Sequence, residues 1–182
     1  MMDYTGTEGL ESTICGELER VAHLEFRLEH LPSGSTRDRL REEVSTAMGN
    51  AMTAYSNLYA QNSQRVQGID LEISRLCNNY PSHWFTVGQE MEKQGMLMQA
   101  RNAYEHAAKE VDPLFWDHVA EVEEKLGNKQ RADYIWRKRM EAWEGKGEHW
   151  YALKFAKRLG DEAAIARLQE RIGQREGVST EE

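Results

Sequence analysis

The sequence predicts an all-α chain built from helix pairs and preceded by an N-terminal helical hairpin. Three observations lead there. No segment alternates apolar and polar residues between turn pairs, as half-buried strands do. Apolar residues instead recur at steps of three and four, and proline occurs only at Pro32, Pro81 and Pro113. Finally, a set of glycines, small residues and aromatics returns at a fixed spacing of 32 residues (84 to 116, 95 to 127), which is how stacked structural repeats look in sequence.

The elements follow in order. Ile14, Leu18, Val21, Leu24, Leu28 and Leu31 line one face of a first helix. Pro32–Thr36 breaks it, and Ser35 or Thr36 is placed to cap the next helix. There Leu40, Val44, Ala47, Ala51, Ala54 and Leu58 repeat the pattern, and so short a break between two long amphipathic helices predicts an antiparallel hairpin. A third helix carries Val66, Ile69, Ile73, Leu76 and Tyr80, and Pro81 stops it because proline disfavours helix in the preceding residue. The expected organisation is therefore 1–80 as hairpin plus linking helix, 81–173 as repeats, and 174–182 as a frayed tail.

Within 81–173, Trp84, Gly95, Ala100 and Tyr104 match Trp116, Gly127, Ala132 and Trp136, and Gly88 matches Ala120. A looser third copy has Gly160, Ala164 and Leu168, with His149 at the tryptophan position and Trp150 beside it. Each copy reads as helix, turn, helix. The glycine ends the first helix in the left-handed conformation. The small residues are expected to let the helices approach closely, and the aromatics to fill the space beside them. A weaker copy over 48–80 would put Asn62 at the turn position.

This layout resembles the tetratricopeptide repeat, through "WFTVGQEMEKQGMLMQARNAYEHAA" (84–108), and its half-a-tetratricopeptide variant of RNA-processing proteins, through "FWDHVAEVEEKLGNKQRADYIWRKR" (115–139) with Glu123 as the acidic residue. The period is two residues short of the usual tetratricopeptide length, Met91 stands where the variant has Glu, and "ADYIW" replaces its Ala-Arg start. The resemblance covers about half the chain and implies a short right-handed α-solenoid whose inner groove, lined by the first helix of each pair, takes a partner protein. It places Phe85, Gln89, Glu92 and Lys93 in the groove from the first pair, and Asp117, His118, Glu121 and Glu124 from the second. The third pair supplies Trp150, Tyr151, Lys154, Lys157 and Arg158. The implied groove is acidic in the middle and aromatic-basic at its C-terminal end. Trp150 and Tyr151 either anchor a partner or cap the terminal hairpin. The Lys and Asn clamp with which some family members hold a partner's C-terminal carboxylate is not matched, since Phe85 and Gln89 occupy those places.

Composition narrows the function classes. A chain of 182 residues, 40% hydrophobic and 30% charged, suits one domain or a short repeat array. No apolar run reaches the roughly 18 residues of a membrane span, and the first residues lack the basic and apolar regions of a secretory signal, so a cytoplasmic protein is expected. Cys15 and Cys77 fit no metal-ligand spacing and read as reduced thiols. A net charge of −8 lacks the basic footprint of nucleic-acid binding.

No catalytic constellation emerges. His23 and His30 share a helix face with Glu19, but no second ligand pair with helical spacing accompanies them, so no metal is expected. Cys77 and His83 are separated by Pro81 and lack an orienting third group. Met91, Met96 and Met98 read as packing residues, and "GTEGLES" follows no strand and makes no phosphate loop. The expected function is a non-catalytic, cofactor-free interaction module, an adaptor, scaffold or partner-specific chaperone, with self-association through the N-terminal hairpin as a further expectation. The alternative, implied by the resemblance, is a subunit of an RNA-processing assembly.

Overall fold

Ile14, Leu18, Val21, Leu24 and Leu28, read from the sequence as one helix face, are buried together along α1 (Thr7–Glu29). The computed structural model describes residues 6–178, with side chains as far as Gln174. Among the described residues there are helices and turns but no strand, in two compact units, Met1–Pro113 and Leu114–Glu182. No described helix is long and apolar enough to cross a membrane.

In the first unit, α1 packs along α2 (Ser35–Gln61), which buries Leu40, Val44, Ala47, Met48, Ala51, Met52, Ala54, Tyr55 and Leu58. The helix begins at Ser35, with Gly34 rather than Ser35 or Thr36 at the cap and no side-chain capping bond. The reason is local: Gly34 takes φ 148, a backbone that side chains resist, and Arg37 Nη1 donates to the Leu31 carbonyl at 3.1 Å, closing the loop from inside α2. α3 (Gln67–Asn79) stops before Pro81 as expected and packs on α1 and α4 (His83–Lys93). Asn62 is extended (φ −158) rather than left-handed, and α3 meets α2 through the Tyr55 hydroxyl donating to Asp70 at 2.5 Å. Residues 48–80 thus lack the turn that a further repeat copy would use. α4 pairs with α5 (Leu97–Glu110) and also packs on α2, so the boundary read at 80–81 falls inside this unit.

After a 3-10 turn (Pro113–Phe115), the second unit holds α6 (Trp116–Lys125), α7 (Lys129–Gly145), α8 (His149–Leu159) and α9 (Glu162–Val178), each packed on the next. The expected tail overlaps the end of α9, and residues 179–182 lie outside the described residues.

One turn recurs. Gly95 and Gly127 have φ 75 and 79, and the residue after each sends its N–H to the carbonyl five positions back, Met96 to Met91 at 2.9 Å and Asn128 to Glu123 at 2.8 Å. These bonds satisfy carbonyls that the helix end would leave unpaired, and the left-handed residue between them is where glycine is tolerated best. Gly160 makes the same turn between α8 and α9, with the Asp161 carboxylate then accepting from the Ala164 N–H at 3.0 Å. Gly147 makes it between α7 and α8, a fourth instance that the 32-residue spacing did not reveal.

The hairpins α4–α5 and α6–α7 share internal geometry at the matched positions. Ala100 and Ala132 are fully buried, as are Tyr104 and Trp136 to within 1% exposure. Tyr104 donates its hydroxyl to Glu92, and Trp136 its indole N–H to Glu124, both at 2.7 Å. Two matches diverge. Trp84 is buried and stacks on His106 (4.4 Å, 17°), whereas Trp116 is only half-buried as the first residue of α6. Gly88 does not simply bring backbones together: its missing side chain makes room for the Tyr104 ring, which lies 2.6 Å from where a Cβ would sit.

Candidate functional site

The second unit gathers most of the groove residues expected from the sequence, on α6 and α8. Asp117, Glu121 and Glu124 follow one another at helical spacing on α6, yet each is engaged from another helix. Arg139 on α7, itself buried, donates to Asp117 at 2.6 Å. Its guanidinium also lies 5.7 Å from the Trp143 ring and 5.9 Å from Phe155. Arg158 on α8 reaches Glu124 at 2.7 Å and Glu121 at 3.3 Å while stacking 4.2 Å over the Trp136 ring.

These contacts alter the expected charge pattern. Arg158 is not a free basic group; it links α8 to α6 through two carboxylates and to α7 through the Trp136 indole. Its guanidinium holds the Glu124 carboxyl below the usual carboxylate range, against a burial penalty and with the Trp136 N–H assisting. His118 lies 3.8 Å from Glu121 through Nδ1. Glu123 is fully buried, accepting from Asn128 at 2.7 Å and pairing with Arg131 at 2.8 Å, so the acidic residue of the resembled pattern closes the α6–α7 turn.

The groove candidates most open to solvent lie on α8. Trp150 is 64% and Tyr151 55% exposed. Tyr151 stacks on Trp143 (4.8 Å), whose ring also lies under Lys146 at 4.8 Å. Lys154 and Lys157 are exposed, one helical turn and two from Trp150. Trp150, Tyr151 and Lys154 are thus exposed, whereas Asp117, Glu121 and Arg158 are engaged in ion pairs between helices.

The candidates of the first unit sit on α4 without converging. Phe85 is half-buried and tilted against Tyr104 at 5.7 Å, Gln89 is exposed, and Lys93 pairs with Glu90 at 2.5 Å. Glu92 accepts from Tyr104, so it too is committed to packing. Sequence reasoning missed a buried contact between α1 and α4, in which Glu25 meets His83 Nε2 at 2.8 Å. Burial lowers the His83 imidazole below its ordinary value, against the pull of that carboxylate. Nothing in a helical period pairs residues so far apart in the chain. It also missed a cleft of about 410 Å³ walled by Tyr55, Tyr59, Trp84 and His106.

Among the described residues no group of three or more His, Cys, Asp or Glu could hold a metal ion. Cys15 is exposed on α1 and Cys77 buried on α3; burial pushes the Cys77 thiol up to about 12. No family model matches this chain, and no curated protein and no solved structure is significantly similar to it.

Proposed function

We propose that the protein is a non-catalytic interaction module, an adaptor or partner-specific chaperone, and that the exposed face of α8 is its main contact with a partner protein. The observation that carries this reading is the juxtaposition of Trp150 and Tyr151 with Lys154 and Lys157 on one helical face, with both lysines outside any ion pair among the described residues. Trp150 and Tyr151 are each more than half exposed, although Tyr151 also stacks on Trp143, and exposed aromatic side chains of this kind anchor interfaces. The neighbouring lysines favour an acidic or aromatic segment of the partner. In this reading the hairpins stack as a short right-handed α-solenoid of tetratricopeptide type, supported by the shared glycine turns and by the matched Tyr104–Glu92 and Trp136–Glu124 bonds.

The test is affinity capture with the full chain beside Trp150→Ala and Lys154→Glu variants, followed by titration of the captured protein. A partner that binds the parent and loses tenfold or more in affinity with either variant, at unchanged melting temperature, supports the reading. Equal binding by all three, or loss only alongside unfolding, overturns it. Self-association through α1 and α2 is checked on the same preparation by light scattering, where a monomer mass at all concentrations removes it.

A further inference from the structure

In the first unit a cavity of about 330 Å³ opens where α2 and α4 begin, beside the end of α1. α2 lines it with Arg37, Arg41 and Ser45, spaced four apart so that they fall on one face. The start of α4 lines it with Ser82 at the N-cap and Thr86 in the first turn, where the helix dipole is positive. Val44 and Met48, both buried, add apolar lining.

The hydrogen-bonding capacity around this space is largely unspent. Arg37 is fixed by its Nη1 bond to the Leu31 carbonyl, while its Nε is buried without a protein acceptor. Arg41 has only a 3.4 Å contact with Asp38, an exposed side chain. Ser82 makes no side-chain capping bond, and neither its hydroxyl nor those of Ser45 and Thr86 has a partner among the described residues. One carboxylate opposes them: Glu25 lines the same cavity and is held by His83. A buried donor without an acceptor, as at Arg37 Nε, is uncommon in folded proteins; Arg41, Ser45 and Ser82 stand exposed and Thr86 half-buried around the same opening, and together they make a donor set for an acceptor-only ligand.

We propose that this cavity binds a phosphate-type oxyanion, such as the head of a phosphate monoester. A tetrahedral anion offers acceptors in several directions and so uses donors arriving from both α2 and α4, whereas a planar carboxylate would satisfy only one side. The proposal rests on residues of the first unit alone and not on the reading of the α8 face.

The experiment is an NMR titration of the isotope-labelled full chain with inorganic phosphate and with glycerol 3-phosphate, against acetate and against sodium chloride at matched ionic strength. Saturable shifts of the Arg37 Nε–H and His83 ring signals are expected with both phosphates, at least tenfold weaker with acetate and absent with chloride. Arg37→Gln should weaken binding at least tenfold. Glu25→Gln, which removes the opposing charge, should tighten it severalfold. Ser45→Ala and Thr86→Val, which preserve the helices, should each weaken it if Arg37→Gln proves too unstable to read. Shifts that follow ionic strength alone, an unchanged affinity in the Arg37 or hydroxyl variants, or weaker binding by Glu25→Gln would overturn the proposal.

Discussion

Gly88→Ala should destabilise the first unit, although alanine is the better helix former. A Cβ at residue 88 would stand 2.6 Å from both Cδ1 and Cε1 of Tyr104. Carbon atoms in contact sit about 3.5–4.0 Å apart, so the ring would have to retreat by roughly 1 Å. It has little freedom to do so. Tyr104 is 1% exposed, its hydroxyl is held by Glu92 at 2.7 Å, and the Phe85 ring lies tilted against it at 5.7 Å. Overpacking a filled site costs about 1–3 kcal/mol, and a strained or broken Tyr104–Glu92 bond about 0.5–1.5 kcal/mol more. Replacing a mid-helix glycine by alanine returns about 1 kcal/mol. The expected net loss is about 1–3 kcal/mol, read as a lower urea midpoint in far-UV circular dichroism at unchanged slope. Faster amide exchange along α4 and α5 should accompany it. Adding Tyr104→Leu should relieve the clash, so that the double variant loses less than the sum of the singles. A Gly88→Ala protein as stable as its parent, or additive behaviour in the cycle, would refute the packing argument.

Three further outcomes follow from charge and burial. Glu124 is ionised more readily in the folded chain than its ordinary value of 4.5 implies, so its contribution is present above that value and lost as pH falls through the lower folded one. Arg158→Ala should lower the melting temperature of the second unit at neutral pH and flatten this acid dependence, which thermal melts at several pH values would show. His83 behaves with the opposite chemistry. Its imidazole is harder to protonate folded than unfolded, so stability should be full above the ordinary value of 6.5 and decline as pH falls below it. His83→Gln should remove that part of the slope in urea titrations between pH ~7.5 and ~5. A thiol reagent added to the native chain should label Cys15 quickly and Cys77 only after denaturant, because Cys77 is buried with its thiol pushed up to about 12. Equal labelling rates for the two would contradict the burial.

What the sequence determined by itself was local. Steps of three and four among Ile14 to Leu28 and Leu40 to Leu58 are enough to make two helices and to choose their buried faces, since the α-helical period leaves no other arrangement. Pro81 ends α3 through a clash with its neighbour, and Gly95, Gly127 and Gly160 announce left-handed turns because other residues resist that backbone. The tertiary structure alone decided which charges remain free. Arg158 meets Glu124 across 34 residues of chain, and Glu25 meets His83 from a different helix; neither partner is marked by any period, because long side chains choose among whatever the packed helices bring near. For the same reason the ion pairs of Arg158 with Glu121 and Glu124, and the Arg37 cavity, left no trace in sequence. Its donors are ordinary helix residues until α2 and α4 bring them to one opening.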